Sequence, residues 1–250
     1  MLISVITASY NSGSTIKDTI QSLESQSYQS YESVFIDGAS TDNTLNIIRN
    51  SNIKKKHIIS EPDNGIYDAM NKGIEHAEGE IVGFLNSDDF YADENVLRDV
   101  AFLFEDPDVD ACYGDLCYVG KQNKNRIVRH WKSEPFKPGM FLKGWVPPHP
   151  TFFARKELYE KYGGFDPSYA IAADYELLLR MFEVHMIYTV YIPKTLIHMR
   201  LGGETNKSFR NIVAQNREIW RALTAHDMNP SLWSFFSNKT KNRLGQFYKK

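Results

Sequence analysis

The chemistry this sequence offers is concentrated in four acidic positions: Asp37, Asp63 and the adjacent pair Asp88 and Asp89. The pair follows an apolar run, Ile81-Val82-Gly83-Phe84-Leu85, and a polar step, Asn86-Ser87. Five apolar positions in a row favour a buried strand, and such a strand meets paired charges where it reaches a surface or a site. Carboxylates are hard oxygen ligands suited to Mg²⁺ or Mn²⁺ carrying a phosphorylated substrate. Taken alone, Asp-Asp after a strand is as well read as a solvated turn.

The elements around these residues decide between the two. Leu2 to Thr7, Ser33 to Ile36 and His57 to Ser60 are strand-like runs, and each ends in a polar loop: Ala8 to Gly13, Asp37 to Ser40, Glu61 to Gly65. Between them Ile16, Ile20 and Leu23 recur at helical spacing. Thr41 or Asp42 is placed to cap a helix carrying Leu45, Ile47 and Ile48, and a helix from about Ile66 to His76 leads into the strand before Asn86. Strands alternating with helices imply βαβ units, a parallel sheet and right-handed crossovers. All four loops then lie on the carboxyl edge of the sheet, where open α/β folds bind ligands. Four acids on one edge favour a site over unrelated turns.

The second half is less regular. Asp110 to Val119 and Arg126 to Trp131 read as strands flanking a turn, and Pro135, Pro138, Pro147, Pro148 and Pro150 mark a long irregular connection. Thr151 to Ala154 is expected as a short strand, Asp174 to Glu183 as a helix, and Met186 to Ile192 and Thr195 to Met199 as two further strands. Helices are expected from about Phe209 to Ala225 and from Pro230 onward.

At 250 residues, 42% hydrophobic and 24% charged, the chain fits one α/β domain with or without an appendage. A net charge of −2 argues against a nucleic-acid partner. Cys112 and Cys117 suggest neither a disulfide framework nor a zinc site, so a reducing cytoplasm is expected. No apolar run approaches the roughly 20 residues of a membrane span, and the N-terminus reads as a first strand rather than a signal peptide. From Ser237 to Lys250, Lys239, Lys241, Arg243, Lys249 and Lys250 stand without an acid, interleaved with Leu244, Phe247 and Tyr248. Residues 230–250 suit either an interfacial helix on an anionic membrane or a helix packed on the catalytic domain with a solvated basic face.

The ordered motifs Thr7-Ala8-Ser9-Tyr10-Asn11, Asp37-Gly38-Ala39-Ser40-Thr41-Asp42, Asn64-Gly65-Ile66-Tyr67-Asp68-Ala69-Met70-Asn71-Lys72-Gly73, Gly83-Phe84-Leu85-Asn86-Ser87-Asp88-Asp89, His149-Pro150-Thr151-Phe152-Phe153 and Ala172-Ala173-Asp174-Tyr175-Glu176 resemble those of family 2 glycosyltransferases. The Ile66 to Gly73 version is similar to a bacterial subgroup that builds surface polysaccharides such as colanic acid and O-antigens. The resemblance implies an α/β GT-A fold, a mostly parallel Rossmann-like sheet with helices on both faces. It would span residues 1–205, with a nucleotide-sugar half (1–105), an acceptor half (106–205) and a helical extension (206–250). It implies transfer with inversion from a nucleotide-sugar, UDP for preference, to a glycan or lipid-linked glycan at the inner face of the plasma membrane.

Carried over residue by residue, Thr7, Ala8 and Tyr10 would pack around the nucleoside and Asp37 would accept from the base. Lys72, Ser87 and Asp88 would complete the nucleotide site. Asp88 and Asp89, with His198 as a further candidate, would hold Mg²⁺ or Mn²⁺. Asp174 would be the general base; an N-cap role for it is compatible with that. His149, Arg200 and Trp145 are candidates for the acceptor or diphosphate. The chain departs from the family at Asn86 and Ala173, where acids are usual. Those departures make an inactive nucleotide-sugar-binding module the alternative. A nucleotidyltransferase is disfavoured because Ser9 to Gly13 carries no Arg or Lys.

Overall fold

The computed structural model describes residues 1–202, 209–231, 235, 237–240 and 246. The first half is the expected alternation: β1 (Ile3–Ser9), α1 (Ile16–Glu24), β2 (Tyr31–Asp37), α2 (Thr44–Arg49), β3 (Lys56–Ser60), α3 (Ile66–His76) and β4 (Ile81–Phe84). β1 pairs in parallel with β2 and β4, and β2 with β3. β1 is buried along almost its whole length because both its faces are covered. Ile3 and Val5 pack in one core with Ile16, Ile20 and Leu23 of α1, while Ile6 packs in the other with Ala69, Met70 and Ile74 of α3. The second contact is close: a Cβ on Gly73 would stand 2.3 Å from Ile6 Cγ2, so α3 docks through a position only glycine fits.

The second half adds β5 (Phe90–Tyr91), α4 (Val96–Leu103), β6 (Ala111–Val119), β7 (Ile127–Trp131), β8 (Phe153–Arg155), α5 (Lys156–Tyr162), α6 (Ala173–Leu179), β9 (Thr189–Arg200) and α7 (Phe209–Ala225). The sheet runs β3-β2-β1-β4-β8-β6-β9-β5, with β7 on β6. β8 lies antiparallel to β4 and β6, whereas β6 and β9 are parallel. The fold is α/β of the kind the motifs imply, and β4, whose end carries Asn86 to Asp89, is central in it.

Several expected elements differ. Met186 to Ile192 and Thr195 to Met199 are not two strands: β9 is continuous across Pro193, and the register against β6 slips between Gly114 and Asp115. Pro193 has no N–H for the ladder, so the strand bulges past it. The helix expected over Asp174 to Glu183 is α6 followed by one wide turn, Arg180–Val184. There the Arg180 guanidinium bonds Glu176 Oε1 at 2.9 Å and Gly164 O at 2.7 Å. Of the strand expected over Thr151 to Ala154, Thr151 closes the 3-10 turn His149–Thr151 and β8 begins at Phe153. α2 begins at Thr44, with Asp42 Oδ1 accepting the Thr44 N–H at 2.9 Å from just outside the helix.

Ile219, Ala222 and Leu223 of α7 are buried in the same core as α6. Of the helix expected from Pro230 onward, residues 235, 237–240 and 246 are described and helical; the rest beyond Ser231, with most of the basic tail, lies outside the described residues. Of what is described there, Phe235 is buried and Lys239 Nζ donates to Asn216 Oδ1 at 2.7 Å. Cys112 and Cys117 are buried free thiols. Among the described residues no helix is long and apolar enough to cross a membrane.

Candidate active site

The carboxyl ends of β1, β2 and β3 meet at Asp37. Its buried carboxylate accepts from Ser9 Oγ (3.1 Å), Ser40 N (2.8 Å), Ser40 Oγ (2.5 Å) and Ser60 Oγ (2.9 Å). Four donors occupy the roughly four lone-pair sites of a carboxylate, so Asp37 ties three strand ends together instead of presenting an open acceptor to a base. Around it Tyr10 is 66% exposed, and Gly38 lies so near Asp63 that a Cβ there would stand 2.6 Å from Asp63 Oδ2 and 3.4 Å from Tyr10 Cδ2. Thr7 is buried, with Oγ1 lacking a partner.

β4 delivers the acidic loop. Ser87 Oγ lies 2.8 Å from Ser12 Oγ in the loop after β1. Asp89 is fully buried: Oδ2 accepts from Asn86 Nδ2 at 3.0 Å and Oδ1 from the Arg200 N–H at 3.2 Å. Burial, and then the charge of Asp88, push the Asp89 carboxyl well above the usual carboxylate range. Arg200 Nε donates to Asp88 O at 3.0 Å, and its guanidinium also pairs with Asp18 of α1. Arg200 thus braces the acidic loop from the end of β9.

In front of this loop opens a cleft of about 1120 Å³ lined by Ala8, Asn86, Ser87, Asp88 and Arg200. Tyr67, Trp145, His149 and Asp174 line the same cleft. Asp174 is the second residue of α6, behind the N-cap position held by Ala172. Its Oδ1 accepts from the Tyr175 N–H at 2.9 Å and lies 3.2 Å from the Tyr67 hydroxyl, leaving Oδ2 without a partner among the described residues. Burial, reinforced by the Asp174 charge, pushes the Tyr67 hydroxyl far up, so it stays a proton donor. His149 is 7% exposed, with its ring 5.4 Å from both Phe84 and Phe165 and its Nε2 unpartnered. Burial holds its imidazole below its ordinary value, against the pull of Asp174. Trp145 packs on Phe136 and Phe141 in an aromatic cluster whose edge reaches the cleft.

The structure therefore gathers Ala8, Ser87, Asp88, Trp145, His149, Asp174 and Arg200 around one cleft. Others stand apart. Lys72 pairs with Glu61 at 2.7 Å and with Asp68 at 3.6 Å, which keeps its ammonium on α3 and the loop before it. His198 packs edge-on against Phe90 at 5.3 Å, and its burial disfavours the charged form. Asp89 spends both oxygens on protein donors. Sequence reasoning missed Tyr67 and Asn86 as site residues, although both stand in the motifs; only their partners reveal them.

The donor set fits a divalent cation. Asn86 Oδ1 is buried and unpartnered beside Asp88, so an amide oxygen and a carboxylate, both hard ligands, share one wall of the cleft. A second group, Glu32, His57 and Glu78, brings ligand atoms within 4.8 Å of one another. Glu32 pairs with Ser4 near the start of β1, whereas Asp37 pairs with Ser9 at its end. At about 3.3 Å per residue, that group lies ~16 Å away at the opposite edge of the sheet. Lys55 Nζ already fills it, 2.9 Å from Glu32 and 2.7 Å from Glu78.

Residues 4–172 match the family model described as glycosyl transferase family 2. An uncharacterized glycosyltransferase of Mycobacterium tuberculosis H37Rv, Rv1514c, is 35% identical over 180 residues, covering 71% of this chain and 68% of the relative. A PGL/p-HBAD biosynthesis glycosyltransferase of the same strain, Rv2957, is 29% identical over 210 residues, 82% and 79% of the two chains. The fold is shared with Staphylococcus aureus TarS 1-349 in complex with UDP-GlcNAc, at TM-score 0.67 and 20% identity over 96% of this chain and 73% of that one. It is shared too with the Pyrobaculum calidifontis mannosyltransferase PcManGT bound to GDP-Man and Mn²⁺, at TM-score 0.60 and 18% identity over 98% and 81%. With the motifs in place around one cleft and the family model spanning most of the sheet, the chain belongs to glycosyl transferase family 2 and is a glycosyltransferase.

Proposed function

We propose that this enzyme transfers a sugar, with inversion, from a nucleotide-sugar to a glycan or lipid-linked glycan acceptor in surface glycan synthesis. The observation that carries the reading is that Asp88 and Asp174, from loops far apart in sequence, line the same cleft. The nucleotide lies over Ala8, Tyr10 and Ser87, on loops that Asp37 and its serines hold in place. Asp174 Oδ2 takes the proton of the acceptor hydroxyl as the acceptor oxygen bonds the anomeric carbon and the bond to the diphosphate breaks on the opposite face. Asp88 and Asn86 Oδ1 would hold Mg²⁺ or Mn²⁺, which when bound supplies positive charge to the departing diphosphate. Trp145 and neutral His149 flank the acceptor, and Arg200 keeps the Asp88 loop in register.

Rv2957 is named for PGL/p-HBAD biosynthesis, and TarS and PcManGT are in complex with UDP-GlcNAc and GDP-Man, which supports a nucleotide-sugar donor. UDP is the preferred nucleotide. A cytoplasmic location goes with this reading. Contact of residues 230–250 with the membrane is its corollary for a lipid-linked acceptor: a chain ending near Asn229 should then lose sedimentation with anionic liposomes, and equal sedimentation contradicts it.

A thermal-shift panel of UDP- and GDP-sugars, with and without Mn²⁺, tests the donor site. Donor at 100 times its dissociation constant stabilises by about 2.7 kcal/mol. The expected result is a Mn²⁺-dependent shift with one donor that Asp88→Asn abolishes; no shift with any donor contradicts the reading.

A further inference from the structure

Glu218, on α7 and beyond the family-matched residues, reaches back to the loop that leads into α6. Its Oε1 accepts the Ala170 N–H at 3.0 Å, and its Oε2 accepts those of Ile171 and Ala172, both at 2.9 Å. Three successive amides thus converge on one carboxylate 46 or more residues away in sequence. Charge-assisted bonds of this kind are about twice as strong as neutral ones. The N-cap residue Ala172 makes no side-chain cap bond, and Glu218 binds the amides of the segment that leads into α6.

The same loop is gripped from its other side. Ile171 O accepts the Tyr67 hydroxyl at 2.9 Å, and that hydroxyl lies 3.2 Å from Asp174 Oδ1. A phenol has one proton, so loop carbonyl and carboxylate compete for a single donor. Tyr67 is anchored by stacking on Phe165 with ring centroids 5.5 Å apart, so its hydroxyl is a fixed point between the two. The Tyr175 N–H occupies the same Asp174 oxygen. Together these contacts engage Oδ1 and leave Oδ2 as the oxygen without a partner among the described residues.

We propose that Glu218 and Tyr67 are positioning residues for the transfer step: Glu218 clamps residues 170–172 and Tyr67 registers Asp174 against that loop, so that α7 is part of the machinery that aims the base. The inference rests on Asp174 being the base. The titratable groups that face Asp174 are Tyr67 from α3, His149 from the 3-10 turn after Pro148 and, one layer out, Glu218 from α7.

The test compares Tyr67→Phe, Glu218→Gln and Asp174→Asn in the full chain by steady-state kinetics, donor affinity and melting temperature. Tyr67→Phe removes one oxygen and no ring contact. It should lower kcat about tenfold, with donor affinity and melting temperature unchanged. The acid limb of kcat/KM should move to higher pH, because a donor to the carboxylate is lost. Glu218→Gln, which keeps one acceptor oxygen, should also lower kcat more than it raises the donor KM. In an Asp174→Asn background neither change should cost further activity, since both act through that carboxylate. If Asp174→Asn abolishes transfer while both single variants keep wild-type kcat and pH profile, the clamp is overturned and the base stands. If Asp174→Asn transfers normally, the base reading falls and takes the clamp with it. If losses in kcat track losses in melting temperature, the contacts are structural and the inference is wrong.

Discussion

Asn86 Nδ2 donates to Asp89 Oδ2 at 3.0 Å, and that bond leaves Asn86 Oδ1 buried without a partner at the cleft wall. The departure from the family pattern therefore has two consequences. An amide supplies the donor that buried Asp89 needs, and its other end remains an oxygen ligand. A carboxylate at position 86 would keep the oxygen and lose the donor.

Asn86→Asp should accordingly destabilise the metal-free enzyme, because the Asn86 Nδ2 donor to buried Asp89 is lost. Losing a hydrogen bond to a buried group costs about 1–3 kcal/mol. Excess Mn²⁺ should restore the melting temperature more strongly in the variant than in the wild type. Equal Mn²⁺ responses would place the cation away from residue 86.

His149 makes folding sensitive to mild acid. Burial lowers its value in the folded state below the ordinary 6.5, so below that pH the unfolded chain binds a proton the folded chain refuses. The stability is complete above that range and declines as pH falls through it. Urea midpoints at pH 7.5 and 5.5 should fall further apart in the wild type than in His149→Phe, whose ring fits between Phe84 and Phe165. An identical pH response in both proteins would refute the assignment.

At the opposite sheet edge, buried Glu32 accepts from Ser4 Oγ and the Glu78 N–H, both at 2.6 Å, and pairs with Lys55 at 2.9 Å. Burial alone would raise its carboxyl; the Ser4 hydroxyl, Lys55 and the Glu78 amide outweigh that and hold it below its ordinary 4.5. The contribution is present above pH 4.5 and is lost as pH falls through the lowered value. Glu32→Gln should cost about 1–3 kcal/mol at pH 7, and the gap to the wild type should close in acid. A gap independent of pH would mean that packing, not charge, holds this corner.

The strand–helix alternation of the first half was legible because each strand carries a short β-branched or apolar stretch that stops at a polar loop. The two-residue β5 was not, since so short a piece carries no periodicity. Pro193 disguised β9 as two strands, because a bulge that skips a proline has no signature in spacing. In the site, the motifs located the cleft but not the orientation of its side chains. Asp88 and Asp89 are adjacent in a loop with no regular period, so which one faces the cleft is set by Asn86 and the Arg200 N–H. Tyr67 and Asp174 are 107 residues apart and only the folded chain brings them to 3.2 Å.

The central claim is that Asp174 Oδ2 removes the acceptor proton. The most direct measurement is transfer by Asp174→Asn under donor-saturating conditions, with donor affinity measured on the same preparation. A positioned base contributes typically 10²–10⁴-fold, so the account predicts a loss of about that size with donor affinity preserved. Transfer at the wild-type rate would contradict it.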